Sequence, residues 1–434
     1  MLNRRTLLVS SAAAATGNLL APAPAYAAIK KFPPGFMWGA STAGHQIEGN
    51  DTNSDTWLLE HVTPTMYSEP VGDGCNSFEL WRRDLDLIQK IGLNSYRFSI
   101  EWSRIEPESG QFSIAMLDYY RSIIDTCRAR GITPIITFNH LSVPVWFAAM
   151  GMWTNPQAPA LFARYCERAA RHLASGIGYA LTLNEPNGMM LGAHFAPVEA
   201  LNGQRAMMDA AGRRCNSTNF AGGPTFADAP QKQAIMLRAH RAGFDAIKSV
   251  RPDLPVGFAL AIADDQEAGP NSMRDARRAE FYGAWLEAAK HDDFIGVQNY
   301  TTNRWTATGV AKAPPGALLN PDGAEVTPSS LANCVRYAHA ACGKPVLVTE
   351  HGLATNDDRL RCDLIAASLI ELLEAIDKGV PILGYCHWSL IDNFEWERGY
   401  KLRFGLASVD HATFVRTPKP SAAVLGGIAR ANAA

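Results

Sequence analysis

Short runs rich in apolar, β-branched and aromatic residues recur along the chain, each followed by a longer stretch with apolar positions three or four apart. The runs are Phe36-Met-Trp-Gly-Ala40, Ser95-Tyr-Arg-Phe-Ser99, Pro134-Ile-Ile-Thr-Phe138, Ala180-Leu-Thr-Leu183, Val256-Gly-Phe-Ala-Leu260, Phe294-Ile-Gly-Val297, Val346-Leu-Val-Thr349 and Ile382-Leu-Gly-Tyr385. They predict eight strands. The intervening stretches predict helices: Trp81, Leu85 and Ile88 share one face before Gly92, and Ile365, Leu369, Leu372 and Ile376 share one before Gly379. A glycine just past the last apolar position is a helix stop, because it accepts the left-handed backbone that ends a helix.

Alternation of strand and helix predicts parallel strands, since a parallel pair needs a crossover connection. Near-continuously apolar strands suit a sheet covered on both faces, and eight of them in one domain suit a closed (β/α)8 TIM barrel of the α/β class. No Gly-x-Gly-x-x-Gly follows the first strand, which argues against a dinucleotide-binding sheet. The longest connection, from Asn187 to Gln231, is rich in Gly, Ala and Pro and is expected to form a loop over the barrel mouth.

Composition narrows the function classes. With 47% hydrophobic and 19% charged residues over 434 positions, the chain reads as globular, and a net charge of −2 offers no attraction for nucleic acid or an anionic membrane. Arg4-Arg5 precede an apolar, alanine-rich run that ends at Ala25-Tyr26-Ala27, the pattern of a cleaved export signal. Residues 1–27 are therefore expected to be a signal of twin-arginine type, and 28–434 a single catalytic barrel domain, periplasmic or extracellular in a bacterium. No later segment has the roughly 20 unbroken apolar residues of a membrane span. The eight cysteines are scattered. Cys127 and Cys166 fall on core-facing helical stripes, and Cys334 with Cys342 could pair in a disulfide. No Cys or His spacing suggests zinc, and no metal or cofactor is expected.

In such barrels the chemistry comes from the C-terminal ends of the strands. Arg97 is placed after strand two, Asn139-His140 after strand three, Asn184-Glu185 after strand four, Tyr300 after strand six, Glu350 at the end of strand seven, and Trp388 with Glu395-Trp396 after strand eight. Two carboxyl groups brought close cannot both ionise cheaply. One keeps its proton as an acid while the other is held as an anion, the division that cleavage of a glycosidic bond requires. Aromatic faces and polar groups at one rim also suit a sugar.

These motifs resemble glycoside hydrolase family 1, the β-glucosidase family, from about Phe32 to Asp410. The resemblance is carried in order by Phe36-Met-Trp-Gly-Ala-Ser-Thr-Ala-Gly-His-Gln-Ile-Glu-Gly49, Tyr96-Arg-Phe-Ser-Ile-Glu-Trp-Ser-Arg-Ile105, Thr182-Leu-Asn-Glu-Pro186, Thr349-Glu350 and Trp388-Ser-Leu-Ile-Asp-Asn-Phe-Glu-Trp396. It implies a retaining exo-β-glycosidase with Glu185 as general acid/base and Glu350 as nucleophile. Arg97 and Tyr300 would orient Glu350 and keep it ionised. Asn184 would bind the sugar 2-hydroxyl, Gln46, His140, Glu395 and Trp396 the other hydroxyls, and Trp388 would be the platform beneath the ring. Trp38, Trp102, Glu48 and Asp392 also match the family pattern and are read as scaffold, as is Glu101. Glu395-Trp396 implies an unphosphorylated sugar, because a carboxylate there would repel a phosphate.

Four positions depart from the family pattern: His45, Leu141, Gln298 and His351, where members usually carry Tyr, Trp, Asn and Asn. The connections after strands four and six look short, which implies an open leaving-group side. Glucose is the expected terminal sugar. Galactose or fucose, transfer to an acceptor other than water, and a non-catalytic sugar-binding role remain alternatives, and oligomeric state is not legible.

Overall fold

A computed structural model describes residues 30–223 and 226–434. The reading of residues 1–27 lies outside the described residues. Eight parallel strands close into a barrel: β1 (Met37–Ser41), β2 (Ser95–Ser99), β3 (Thr133–Asn139), β4 (Tyr179–Asn184), β5 (Val256–Ala261), β6 (Ile295–Asn299), β7 (Val346–His351) and β8 (Ile382–Trp388). Each strand pairs with the next, and β8 returns to β1 with Ser41 beside Trp388. Every predicted strand is present.

Side chains alternate between two apolar environments. On β2, Tyr96 and Phe98 join the outer core formed with the surrounding helices, while Arg97 between them turns to the barrel axis. Met37, Ile135, Leu181, Ala259, Leu347 and Cys386, from six different strands, pack as a separate apolar cluster. That cluster makes the barrel a filled support for the residues above it. The predicted helices form as Ser77–Ile91 and Asp358–Asp377. Gly92 ends the first with φ 95°, and Gly379 follows the second with φ 90°. The segment before β1 meets the C-terminal helix end at Asn432, whose side-chain oxygen accepts from Trp38 Nε1 at 3.0 Å and whose side-chain nitrogen donates to the Phe32 carbonyl at 2.7 Å, in keeping with a scaffold role for Trp38.

Three expectations are corrected. The Asn187–Gln231 connection is largely helical, over Gly188–Phe195 and Val198–Arg214. Met207, Ala210 and Ala211 of the second helix pack on Leu58, Leu59 and Phe394, and this tertiary burial outweighs the turn-like composition. Arg97 is the central residue of β2 rather than one that follows it, and its length carries the guanidinium up to the mouth. Cys334 and Cys342 do not pair. They lie on one helix, Ser330–Cys342, where eight residues of rise separate them by about 12 Å, and all eight cysteines are free.

Close strand packing depends on glycine at β5. A Cβ built on Gly257 would stand 2.3 Å from the Phe294 carbonyl oxygen, a backbone atom that cannot swing away. Gly257→Ala is therefore expected to destabilise the barrel by about 1–3 kcal/mol, the usual penalty for overpacking. Chemical denaturation checks this: the midpoint falls, and an unchanged midpoint contradicts the packing argument.

Candidate active site

Glu350, near the end of β7, is held by three donors. Arg97 Nη1 donates to its Oε1 at 2.6 Å, Gln298 Nε2 donates to the same oxygen at 2.7 Å, and the Tyr300 hydroxyl donates to Oε2. Arg97 is itself fixed, with Nε donating to Thr137 Oγ1 at 3.1 Å and Nη2 to Asn184 Oδ1 at 2.5 Å. Gln298 also reaches Asn184 Oδ1, at 2.7 Å. One planar cation and one amide thus tie the β7 carboxylate to the strand that precedes Glu185.

Glu185 follows β4 in a left-handed backbone conformation, φ 43°, with its amide donating to the Ala259 carbonyl at 2.8 Å. Burial, reinforced by the charge of Glu350 and opposed by Arg97, pushes its carboxyl up to about 8. Glu350 is pushed up by burial as well, but the Arg97 guanidinium and the Tyr300 hydroxyl pull it back. The direct ion pair and three donated hydrogen bonds favour the anion at Glu350. Glu185 receives no comparable donor and keeps the proton at neutral pH. Burial and neighbouring carboxylates also keep the Tyr300 phenol protonated, so it remains a donor.

The predicted sugar-binding residues converge beside this pair. Asn184 Nδ2 lies 3.1 Å from His140 Nε2, and burial and Arg97 lower the imidazole well below its ordinary value. The ring is therefore neutral, accepts at Nε2 and carries its proton on Nδ1. His140 Nδ1 and Gln46 Oε1 are both buried without a protein partner, a donor and an acceptor left for a polar ligand. Trp388 stacks against His140 with ring centroids 5.7 Å apart, and its Nε1 donates to Glu395 Oε1 at 3.2 Å. Trp396, φ 51°, lies near-parallel to His140 at 6.4 Å.

The residues read as scaffold have partners of their own. Glu48 pairs with Arg104 at 2.8 Å, Asp392 with Lys419 at 2.7 Å, and Trp102 donates to Glu106 at 2.7 Å. Glu101 accepts from Ser99 at 2.8 Å and Ser142 at 2.5 Å. Among the departures, Gln298 is a direct contact of Glu350 that the sequence reading flagged without assigning it a role. Its signal was position, two residues before Tyr300. His351 turns from its neighbour Glu350 to the Tyr385 hydroxyl at 3.0 Å, and burial lowers it to about 4. Leu141 lines a cavity of about 250 Å³ that reaches Glu185, Trp153, Met236 and Trp396. A larger one, of about 750 Å³, opens past Tyr300 between Leu191, Phe195 and the 301–304, 310–313 and 322–325 segments. The connections after β4 and β6 wall this space without filling it.

A closed eight-stranded α/β barrel with this mouth falls in the class of barrel glycoside hydrolases. The chain belongs to glycosyl hydrolase family 1, whose sequence profile matches residues 28–302 and 287–434. It is 29% identical to β-glucosidase A of Thermotoga maritima over 91% of this chain and 96% of that one. It is 30% identical to a β-glucosidase of Agrobacterium sp. over 90% and 94%. A crystal structure of β-glycosidase BGL167 superposes with a TM-score of 0.88 at 41% identity, covering 93% of this chain and 98% of that one.

The Tyr300 hydroxyl favours the ionised form of Glu350, so removing it raises that carboxyl's pKa. A reaction that needs the anion is lost as pH falls through that pKa, and Tyr300→Phe is expected to move the acidic limb of kcat/KM upward by about one pH unit. It should also lower kcat roughly 10- to 100-fold. A pH–rate profile checks both; an acidic limb that stays in place contradicts the assignment.

Proposed function

We propose that the chain is a retaining exo-β-glucosidase in which Glu185 and Glu350 carry the reaction. The observation behind this reading is the asymmetry of the two buried carboxyls, one pinned as an anion by Arg97, Gln298 and Tyr300, the other raised to about 8. Glu350 attacks the anomeric carbon as Glu185 gives its proton to the glycosidic oxygen, and the aglycone leaves with that proton. Once glycosylated, Glu350 no longer carries a charge that keeps Glu185 protonated. Glu185 then takes a proton from the incoming water, whose oxygen attacks the anomeric carbon and frees Glu350. Two displacements return the β configuration.

Glucose as the terminal sugar is supported by the β-glucosidase names of the relatives above. The residues proposed to hold it are Asn184 at the 2-hydroxyl, Gln46, His140, Glu395 and Trp396 at the others, and Trp388 under the ring. The two unpartnered polar atoms, His140 Nδ1 and Gln46 Oε1, support that placement. An open leaving-group side is supported by the larger cavity past Tyr300. Action after export is supported by Arg4-Arg5 and Ala25-Tyr26-Ala27, and among the described residues no helix is long and apolar enough to cross a membrane.

Aryl β-glucoside, β-galactoside, β-fucoside, β-mannoside and β-xyloside tested side by side are expected to rank the glucoside first. Proton NMR should show β-glucose as the first product. Glu350→Ala is expected to lose at least ~10³-fold in kcat, and Glu185→Ala roughly 10²- to 10⁴-fold. An α-anomer as first product, or wild-type turnover in a folded Glu350→Ala variant, contradicts the mechanism. Export is checked by N-terminal sequencing of protein recovered outside the cytoplasm, which should begin near Ala28.

A further inference from the structure

His45 occupies a position where the family resemblance leads one to expect tyrosine, and it makes no contact with either carboxyl of the proposed reaction. It lies in the short helix Gly44–Glu48 after β1, fully buried. Its Nε2 lies 2.9 Å from Glu60 Oε1, which is also fully buried, and its Nδ1 lies 3.3 Å from Ser54 Oγ. Glu60 is held in turn by the Val71 amide, which donates to its other oxygen at 3.0 Å. The Trp396 indole lies beside the imidazole in offset stacking, with centroids 5.8 Å apart and planes only 6° from parallel.

We propose that His45, clamped by Glu60, is the positioning residue for Trp396 and so for the wall that binds the sugar hydroxyls. The inference rests on the reading of that wall given above. Trp396 needs such support, because a bulky side chain at φ 51° sits on an unfavourable backbone that only surrounding contacts can hold. The same short helix fixes the neighbouring wall residues. Gln46 Nε2 donates to the Phe394 carbonyl at 2.6 Å and to Asn393 Oδ1 at 3.1 Å, and the Phe394 amide donates to the Gln46 carbonyl at 3.2 Å. Helix Gly44–Glu48 and the segment 393–396 are therefore joined by three hydrogen bonds, with the His45–Trp396 stack at the end of that junction.

A tyrosine could supply a ring at this position but no charge. A cationic imidazole against the face of an indole adds an electrostatic attraction that grows where water is excluded. Glu60 and Asp55 from the helix Asp55–Glu60, Asp51 from the preceding turn and Glu101 beyond β2 all surround the ring. Burial opposes the charge, and Glu60 with its acidic neighbours outweighs it. Ser54 Oγ can accept from Nδ1 while it caps the helix by accepting from the Trp57 amide at 3.1 Å.

The test compares wild type with His45→Gln, which can still donate to Glu60 but has no ring, and His45→Phe, which keeps a ring without charge. Trp396→Phe is the spectral baseline. His45→Gln is expected to raise KM for an aryl β-glucoside at least fivefold while kcat changes less than twofold, the signature of lost ground-state and transition-state binding alike. His45→Phe should fall between the two. In wild type, the emission attributable to Trp396 should rise with pH as the quenching imidazolium loses its proton, and this rise should vanish in both variants. Should His45→Gln fail to fold, Glu60→Gln carries the test with the same expected rise in KM and lowered pH for the emission change. KM within twofold of wild type in folded variants, or Trp396 emission that ignores pH in wild type, overturns the proposal. A wild type inert toward every aryl β-glycoside overturns the functional reading instead, and the clamp is then judged by emission alone.

Discussion

The contact on which the mouth of this barrel depends is the Arg97 guanidinium between Glu350 and Asn184. Its two forked nitrogens reach two strands at once, Glu350 on β7 and Asn184 on β4, and a third nitrogen anchors it to Thr137 on β3. A buried cation with this geometry is costly unless its donors find partners, and here each of the three nitrogens donates. The same charge draws Glu350 toward ionisation and adds to the burial that keeps His140 neutral. It therefore favours the anion at Glu350, while the Asn184 amide at 3.1 Å from Nε2 sets the tautomer of His140.

Burial works on the two sides of the cleft in opposite directions. At Glu350, which burial also raises, the cost of desolvation is opposed by Arg97 and Tyr300; at Glu185 and Glu395 it is left largely uncompensated, and both carboxyls are held above the ordinary range. The protein thus stores a proton where a leaving group would need one. At Glu395 a protonated carboxyl can donate to a sugar oxygen as well as accept, which suits a hydroxyl-rich ligand.

Strand positions and the paired acids were legible because local and global signals agree there. Glu185 and Glu350 each end a short apolar strand and precede a proline or glycine turn, and in a parallel barrel such positions share one rim. Gln298 was not legible as a contact, since inside an apolar strand a lone amide reads as core, and only the closing of β6 against β7 brings it to Glu350. The helices over Gly188–Phe195 and Val198–Arg214 were missed because the glycines and prolines in and around them read as turns; their stability comes from packing on residues far away in the chain. The short parallel pair Asp264–Glu267 and Thr302–Trp305, which extends β5 and β6 above the barrel, was missed for a related reason. Its buried Trp305 is satisfied by Asp265 at 2.6 Å, a partner no local pattern reveals.

The account turns on the two carboxyls holding different charges at the same pH. Carbon-13 NMR of protein labelled at the glutamate side-chain carboxyl, with Glu185→Gln and Glu350→Gln used to assign the signals, measures this directly. The expected result is a protonated Glu185 at pH 6.5 that titrates near 8, beside a Glu350 already ionised. An ionised Glu185 with a protonated Glu350, or both ionised at that pH, would contradict it.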